Sequence, residues 1–161
     1  NVMDIRAYLK NLEKHENAKP DVLIVDYAAL LRPMRQRKEL RFELGDTARA
    51  LRQIARDYEC CVWTASQVTK VGQKSDIPEI ADMAETSELA NVSDVVFAFG
   101  QTLQEKRRER LRWVVLKNRV GGRVGRIVDC NVKEDTQTIA QTKHQSRVVE
   151  DAQYSRGRRE N

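Results

Sequence analysis

Pro20-Asp21-Val22-Leu23-Ile24-Val25-Asp26-Tyr27 is the stretch on which the reading of the fold turns. Four aliphatic residues, Val22 to Val25, run directly into a carboxylate, Asp26. A short unbroken apolar run suits a strand buried on both faces, as the strands of a parallel sheet are. Asp26 then falls at the C-terminal end of that strand, and in open α/β sheets ligands bind outside the carboxyl ends of the strands. A carboxylate there can hold a Mg²⁺ ion or one of its waters, because Mg²⁺ takes oxygen ligands and keeps much of its hydration shell. The plainer alternative is an Asp that opens a loop or caps a helix.

Working outward, Phe42 to Tyr58 reads as a helix, with Leu44, Ala48, Leu51, Ile54, Ala55 and Tyr58 on one stripe. Gly45 costs its first turn about 1 kcal/mol relative to Ala. Cys60 to Ala65 is a second strand, ending in Ser66-Gln67. Strand, crossover helix and strand make a βαβ unit with parallel strands. Asp26 and Gln67 should therefore emerge at the same sheet edge. A carboxylate so placed is the Walker B arrangement of nucleotide-hydrolysing enzymes.

Around this unit, Val2 to Lys14 reads as a helix with Val2, Ile5, Leu9 and Leu12 on one stripe. Arg32, Arg35, Arg37, Lys38 and Arg41 lie in what reads as a mobile basic loop, either solvated or in contact with nucleic acid. Val68 to Pro78 is polar and reads as a flexible loop beside the site, and Glu79 to Ala90 as a short helix broken near Thr86. Asp94 to Phe99, Leu111 to Leu116, Arg126 to Val132 and Thr138 to Ala140 read as strands. The charged segment Gly100 to Arg110 reads as a hairpin loop. From Gln141 to Asn161 the composition turns polar and basic, so this tail is expected to be disordered or weakly helical. The expected architecture is α/β: a parallel βαβ core followed by antiparallel hairpin strands, in one domain over residues 1–140.

The 161 residues fit one domain of ordinary size. Net charge +5 permits a nucleic-acid partner without requiring one, because 29 Lys and Arg are set against 24 Asp and Glu. Cys60, Cys61 and Cys130 form no CxxC pair, and an odd count argues against a disulfide framework; reduced thiols in the cytoplasm fit better. No run approaches a membrane span. A Walker B strand should be accompanied by a phosphate-cradling G-x-x-x-x-G-K-[ST] loop, and none occurs in this sequence. The expectation is that the chain is the C-terminal portion of a longer protein.

The last polar group at a strand end is Lys117-Asn118-Arg119, ahead of Val120-Gly121-Gly122-Arg123. A Lys and an Arg two apart lie on one side of an extended segment. On a rigid hairpin both could reach a phosphate, where an Arg supplied to a transferring γ-phosphoryl is worth about 10³–10⁵ in rate. The alternative is two surface cations flanking a turn.

Taken in order, these motifs resemble the replicative DnaB-type helicases. Val22 to Leu31 is similar to that family's I-x-I-D-Y-L-Q-L-M, and Asp46 to Ala55 to its I-S-R-S-L-K-x-L-A. Ala65-Ser66-Gln67-Val68 resembles L-S-Q-L, Asp82 to Asp94 resembles D-L-R-E-S-G-x-I-E-Q-D-A-D, and Lys117-Asn118-Arg119-Val120-Gly121 resembles K-x-R-N-G. The likeness runs over about residues 4–140, with five motifs in register. It implies part of a RecA-like P-loop ATPase domain that uses ATP and Mg²⁺ and assembles as a hexameric ring on single-stranded DNA. A primase or a helicase loader would be a further partner, and the setting a bacterial or phage-infected cell. By the resemblance, Asp26 would organise Mg²⁺ and its water, and Ser66 and Gln67 would contact nucleotide, with Gln67 sensing the γ-phosphate. Lys117 and Arg119 would reach a neighbouring subunit's nucleotide, Arg119 as the arginine finger. Glu85, Thr86 and Ser87 would face DNA.

The family's Arg and Gly in D-L-R-E-S-G are Ala84 and Ser87 here, so Lys70, Lys74 or Arg123 would have to replace the lost phosphate contact. Ala28-Ala29 stands for Leu-Gln, and Val120 for the Asn after the finger. Two other readings remain open on sequence: a RecA-like ATPase of recombinase or clock type, and a non-catalytic DNA- or ring-binding module without a phosphate loop.

Overall fold

A computed structural model describes residues 1–67, 79–80, 87–142 and 147–148. The chain divides into two compact units, residues 1–67 with 83–93, and residues 68–82 with 94–161.

The first unit begins with α1 (Val2–Glu16). Asn1 caps it by accepting from the Met3 and Asp4 amides, and Asn17 ends it in the left-handed region at φ 49°. Strand β1 (Val22–Val25) follows, then a 3₁₀ turn over Ala28–Leu30, helix α2 (Leu40–Asp57) and strand β2 (Cys61–Thr64). β1 and β2 pair in parallel, Val22 with Cys61 through Val25 with Thr64. The expected βαβ unit is thus present.

Its core forms where α1 and α2 bring Val2, Leu9, Ala48, Leu51 and Ile54 against Val25 and Ala28, with Ile54 fully buried. Helix α3 (Ser87–Val92) adds Leu89 to the same cluster. Its approach explains Gly45: a Cβ there would lie 3.4 Å from the Glu88 Cβ and 3.2 Å from an Arg49 guanidinium nitrogen. The helix-weakening glycine is therefore a close-packing position.

Two expectations for this unit need correction. β1 is not buried on both faces: Leu23 and Val25 point into the core, whereas Val22 is 50% and Ile24 74% exposed. Nor is the basic loop detached from the fold. The Arg37 amide donates to Glu43 Oε1 at 2.8 Å, and the Arg37 guanidinium donates to Asp46 Oδ2 at 2.9 and 3.0 Å, which ties the loop to α2.

The second unit is an antiparallel sheet in the order β3 (Val95–Gly100), β4 (Arg110–Asn118), β5 (Arg126–Lys133), β6 (Thr138–Gln141), with β7 (Arg147–Val148) also paired to β5. Val114 is fully buried, among Ala98, Leu116 and Ile127. On the opposite face Trp113 meets Phe97 edge-on, with centroids 5.0 Å apart, and Phe99 at 5.4 Å. The segment expected as a bare hairpin loop carries a short helix, α4 (Leu103–Arg107), capped reciprocally by Thr102 and Glu105. The tail also departs from expectation: Thr142 is buried, and β7 pairs as strand rather than being disordered or helical. Among the described residues no helix is long and apolar enough to cross a membrane.

Candidate functional site

Because β1 and β2 run parallel with Val25 opposite Thr64, Asp26 leaves one strand and Ala65-Ser66-Gln67 leaves the other at the same end of the sheet. Asp26 and Gln67 are exposed there, and Ser66 is half-buried. The Ser66 hydroxyl lies 3.4 Å from the Gln67 carbonyl, a long contact. The Asp26–Tyr27 peptide bond is cis. A solvent-facing carboxylate at a strand's C-terminal end suits Mg²⁺, which takes one or two carboxylates and completes its shell with water and phosphate oxygens. Among the described residues no group of three or more His, Cys, Asp or Glu could hold a metal ion. Protein ligation here would thus rest on Asp26, with the nucleotide and water filling the shell.

Sequence reasoning passes over the residue that fixes this corner, Thr64. Its hydroxyl donates to the Val25 carbonyl at 2.9 Å and accepts from the Ala28 amide at 2.9 Å. A β-branched hydroxyl near a strand end is the visible signal, but its alignment with Val25 follows only from the strand register.

The other candidate cations lie in the second unit. Lys117 is half-buried near the end of β4, paired with Val96. Arg119 follows the strand and is half exposed. Its amide donates to the Asp94 carbonyl at 2.8 Å, and its guanidinium stands 3.8 Å from the Asp94 carboxylate. Both cations therefore sit at one end of the β3–β4 ladder, outside the buried cluster. The Asn118 side chain accepts from the Val120 amide at 3.0 Å, and Gly121 takes φ 96°, which shapes the turn that follows. Arg123 is exposed in that turn. Ser87 opens α3. Lys70, Lys74, Glu85 and Thr86 lie outside the described residues.

An open pocket of about 520 Å³ lies between the basic loop and α2, lined by Gln36, Arg37, Lys38, Phe42, Asp46 and Arg49. None of the expected site residues lines it. Its carboxylate is already engaged: the hydrogen bond from Arg49, then that from Arg37, holds the Asp46 carboxyl below its ordinary range.

The fold is that of an ATPase domain. A solved "ATPase Domain" superposes with a TM-score of 0.74 over 89% of this chain and 52% of that chain, at 18% identity. The chain belongs to the DnaB-like helicase C-terminal domain family, whose profile matches residues 1–141. A "DnaB-like replicative helicase" of Enterobacteria phage T4 is 29% identical over 119 residues. That match takes in 72% of this chain and 25% of the phage protein, so the chain spans about a quarter of this relative's length.

Proposed function

We propose that this chain is part of the motor of a DnaB-like replicative helicase, coupling ATP hydrolysis to movement along single-stranded DNA as a ring of identical subunits, six by the family resemblance. The observation that carries this reading is the parallel β1–β2 pairing, which brings Asp26 and Ser66-Gln67 to one sheet end in a chain of this family. Asp26 holds Mg²⁺ or its water, and Mg²⁺ when bound neutralises charge on the phosphates. Ser66 and Gln67 contact the nucleotide, with Gln67 responding to the γ-phosphate.

Lys117 and Arg119 act on the nucleotide of a neighbouring subunit, adding fixed positive charge where negative charge develops. The phosphate cradle that this sequence lacks comes from another segment of a longer polypeptide. Glu85, Thr86 and Ser87, with Lys70 and Lys74, face the DNA. Residues 1–140 form the domain portion and 141–161 a basic tail. The place of action is the cytoplasm of a bacterial or phage-infected cell, where a primase or loader would be a further partner.

The test is ATPase activity of the complete polypeptide with and without single-stranded DNA, read alongside its assembly state. Hydrolysis stimulated by DNA in a ring-sized species is expected. DNA binding with no hydrolysis would mark a binding module instead.

A further inference from the structure

We propose that Thr64 is a positioning residue for Asp26, acting through the main chain on either side of it; this rests on the function proposed above. One hydroxyl bridges the Val25 carbonyl, immediately before Asp26, and the Ala28 amide, two residues after it, each at 2.9 Å. Ala28 is 1% exposed, so no water is at hand to replace Thr64 as the amide's acceptor. Thr64 is also the last residue of β2, two positions before Ser66 and three before Gln67. The same side chain therefore ties the turn bearing the carboxylate to the strand bearing the nucleotide-sensing amide. A shift of the Ser66-Gln67 segment is passed to the Asp26 turn through this hydroxyl, and the reverse holds equally.

Two variants separate this role from general packing. Thr64→Val keeps the β-branched shape and removes the hydroxyl; Thr64→Ser keeps the hydroxyl and removes the methyl. In the complete polypeptide, Thr64→Val is expected to lower kcat for ATP about 10- to 100-fold with KM changed less than about 2-fold, because a misplaced group costs the chemical step more than binding. Thr64→Ser should restore most of the rate. Amide exchange at Ala28 should be about 10-fold faster in Thr64→Val and near normal in Thr64→Ser.

Unchanged kcat in Thr64→Val, or a Thr64→Ser variant as slow as Thr64→Val, overturns the proposal. If the unsubstituted protein hydrolyses no ATP, it is the proposed function that has failed. Ala28 exchange then decides alone: acceleration in Thr64→Val only supports the positioning role, and any other pattern overturns it.

Discussion

Arg119 is tied to Asp94 twice, through its amide to the Asp94 carbonyl at 2.8 Å and through its guanidinium to the Asp94 carboxylate at 3.8 Å. The main-chain bond extends the β3–β4 ladder by one step and fixes where the side chain starts. The side-chain contact is long, and both partners are about half exposed. Such a pair contributes about 0–1 kcal/mol, so the guanidinium can leave Asp94 for a phosphate at small cost.

Arg119→Ala should accordingly leave folding almost unchanged, within about 1 kcal/mol in a urea titration. In the complete polypeptide it should reduce ATPase activity by about 10³-fold or more while nucleotide binding stays near normal. Mixing the variant with subunits defective only in Asp26 should recover part of the activity, because each supplies what the other lacks. Failure to recover any would show that Arg119 does not serve a neighbour's nucleotide.

The core makes a sharper stability claim. Ile54 is 0% exposed and sits among residues of α1, α2 and β1. Ile54→Ala should cost about 2–5 kcal/mol, the lost transfer energy plus the cavity left behind. A shift of the urea midpoint corresponding to less than about 1 kcal/mol would mean that this packing is not formed in solution.

How much of this is legible in the sequence varies by element. β1 and β2 announce themselves as apolar runs, and α2 by its Leu44, Ala48, Leu51, Ile54 stripe, because burial imposes periodicity. Helix α4 hides inside a run of charges, where no apolar stripe is needed; its one sequence signal, Thr102-x-x-Glu105, is a capping box without an apolar run behind it. β7 is two residues long and defined by pairing with Arg126 and Ile127, which no local pattern encodes. At the site, Asp26, Ser66 and Gln67 stand out because strand ends are visible in sequence. Thr64 does not, because its role depends on which residue of one strand lies opposite which of the other.

A pH dependence follows from the α4 cap. The Glu105 carboxylate accepts from the Thr102 amide at 2.7 Å and from Arg112 at 3.0 Å. Burial pulls its pKa up, but the Thr102 bonds and then the Arg112 charge outweigh it and leave the carboxyl below its ordinary value. A depressed folded-state value stabilises fully above the unfolded value of about 4.3 and is lost as pH falls through the folded one. Glu105→Gln should destabilise the protein by about 1–2 kcal/mol at pH 6. Urea titrations at pH 6 and pH 3 should show the difference from the unsubstituted protein shrinking at the lower pH. A gap independent of pH would place the stabilisation in packing rather than in charge.

The outer face of β1 and β2 predicts how the 161-residue chain behaves alone. Val22 is 50%, Ile24 74% and Trp63 49% exposed, and the register places Ile24 beside Trp63, so these side chains form one patch rather than scattered contacts. Contiguous apolar surface of this kind drives association, and a two-stranded sheet adds unpaired backbone edges. Sedimentation velocity at rising concentration should show self-association of the chain. Ile24→Lys should suppress it, because the substitution puts a charge in the middle of the patch while leaving the inward-facing Leu23 and Val25 in place. A strictly monomeric unsubstituted chain would mean that this face is covered in solution, and the Trp63 emission maximum would then report a buried rather than a water-exposed indole.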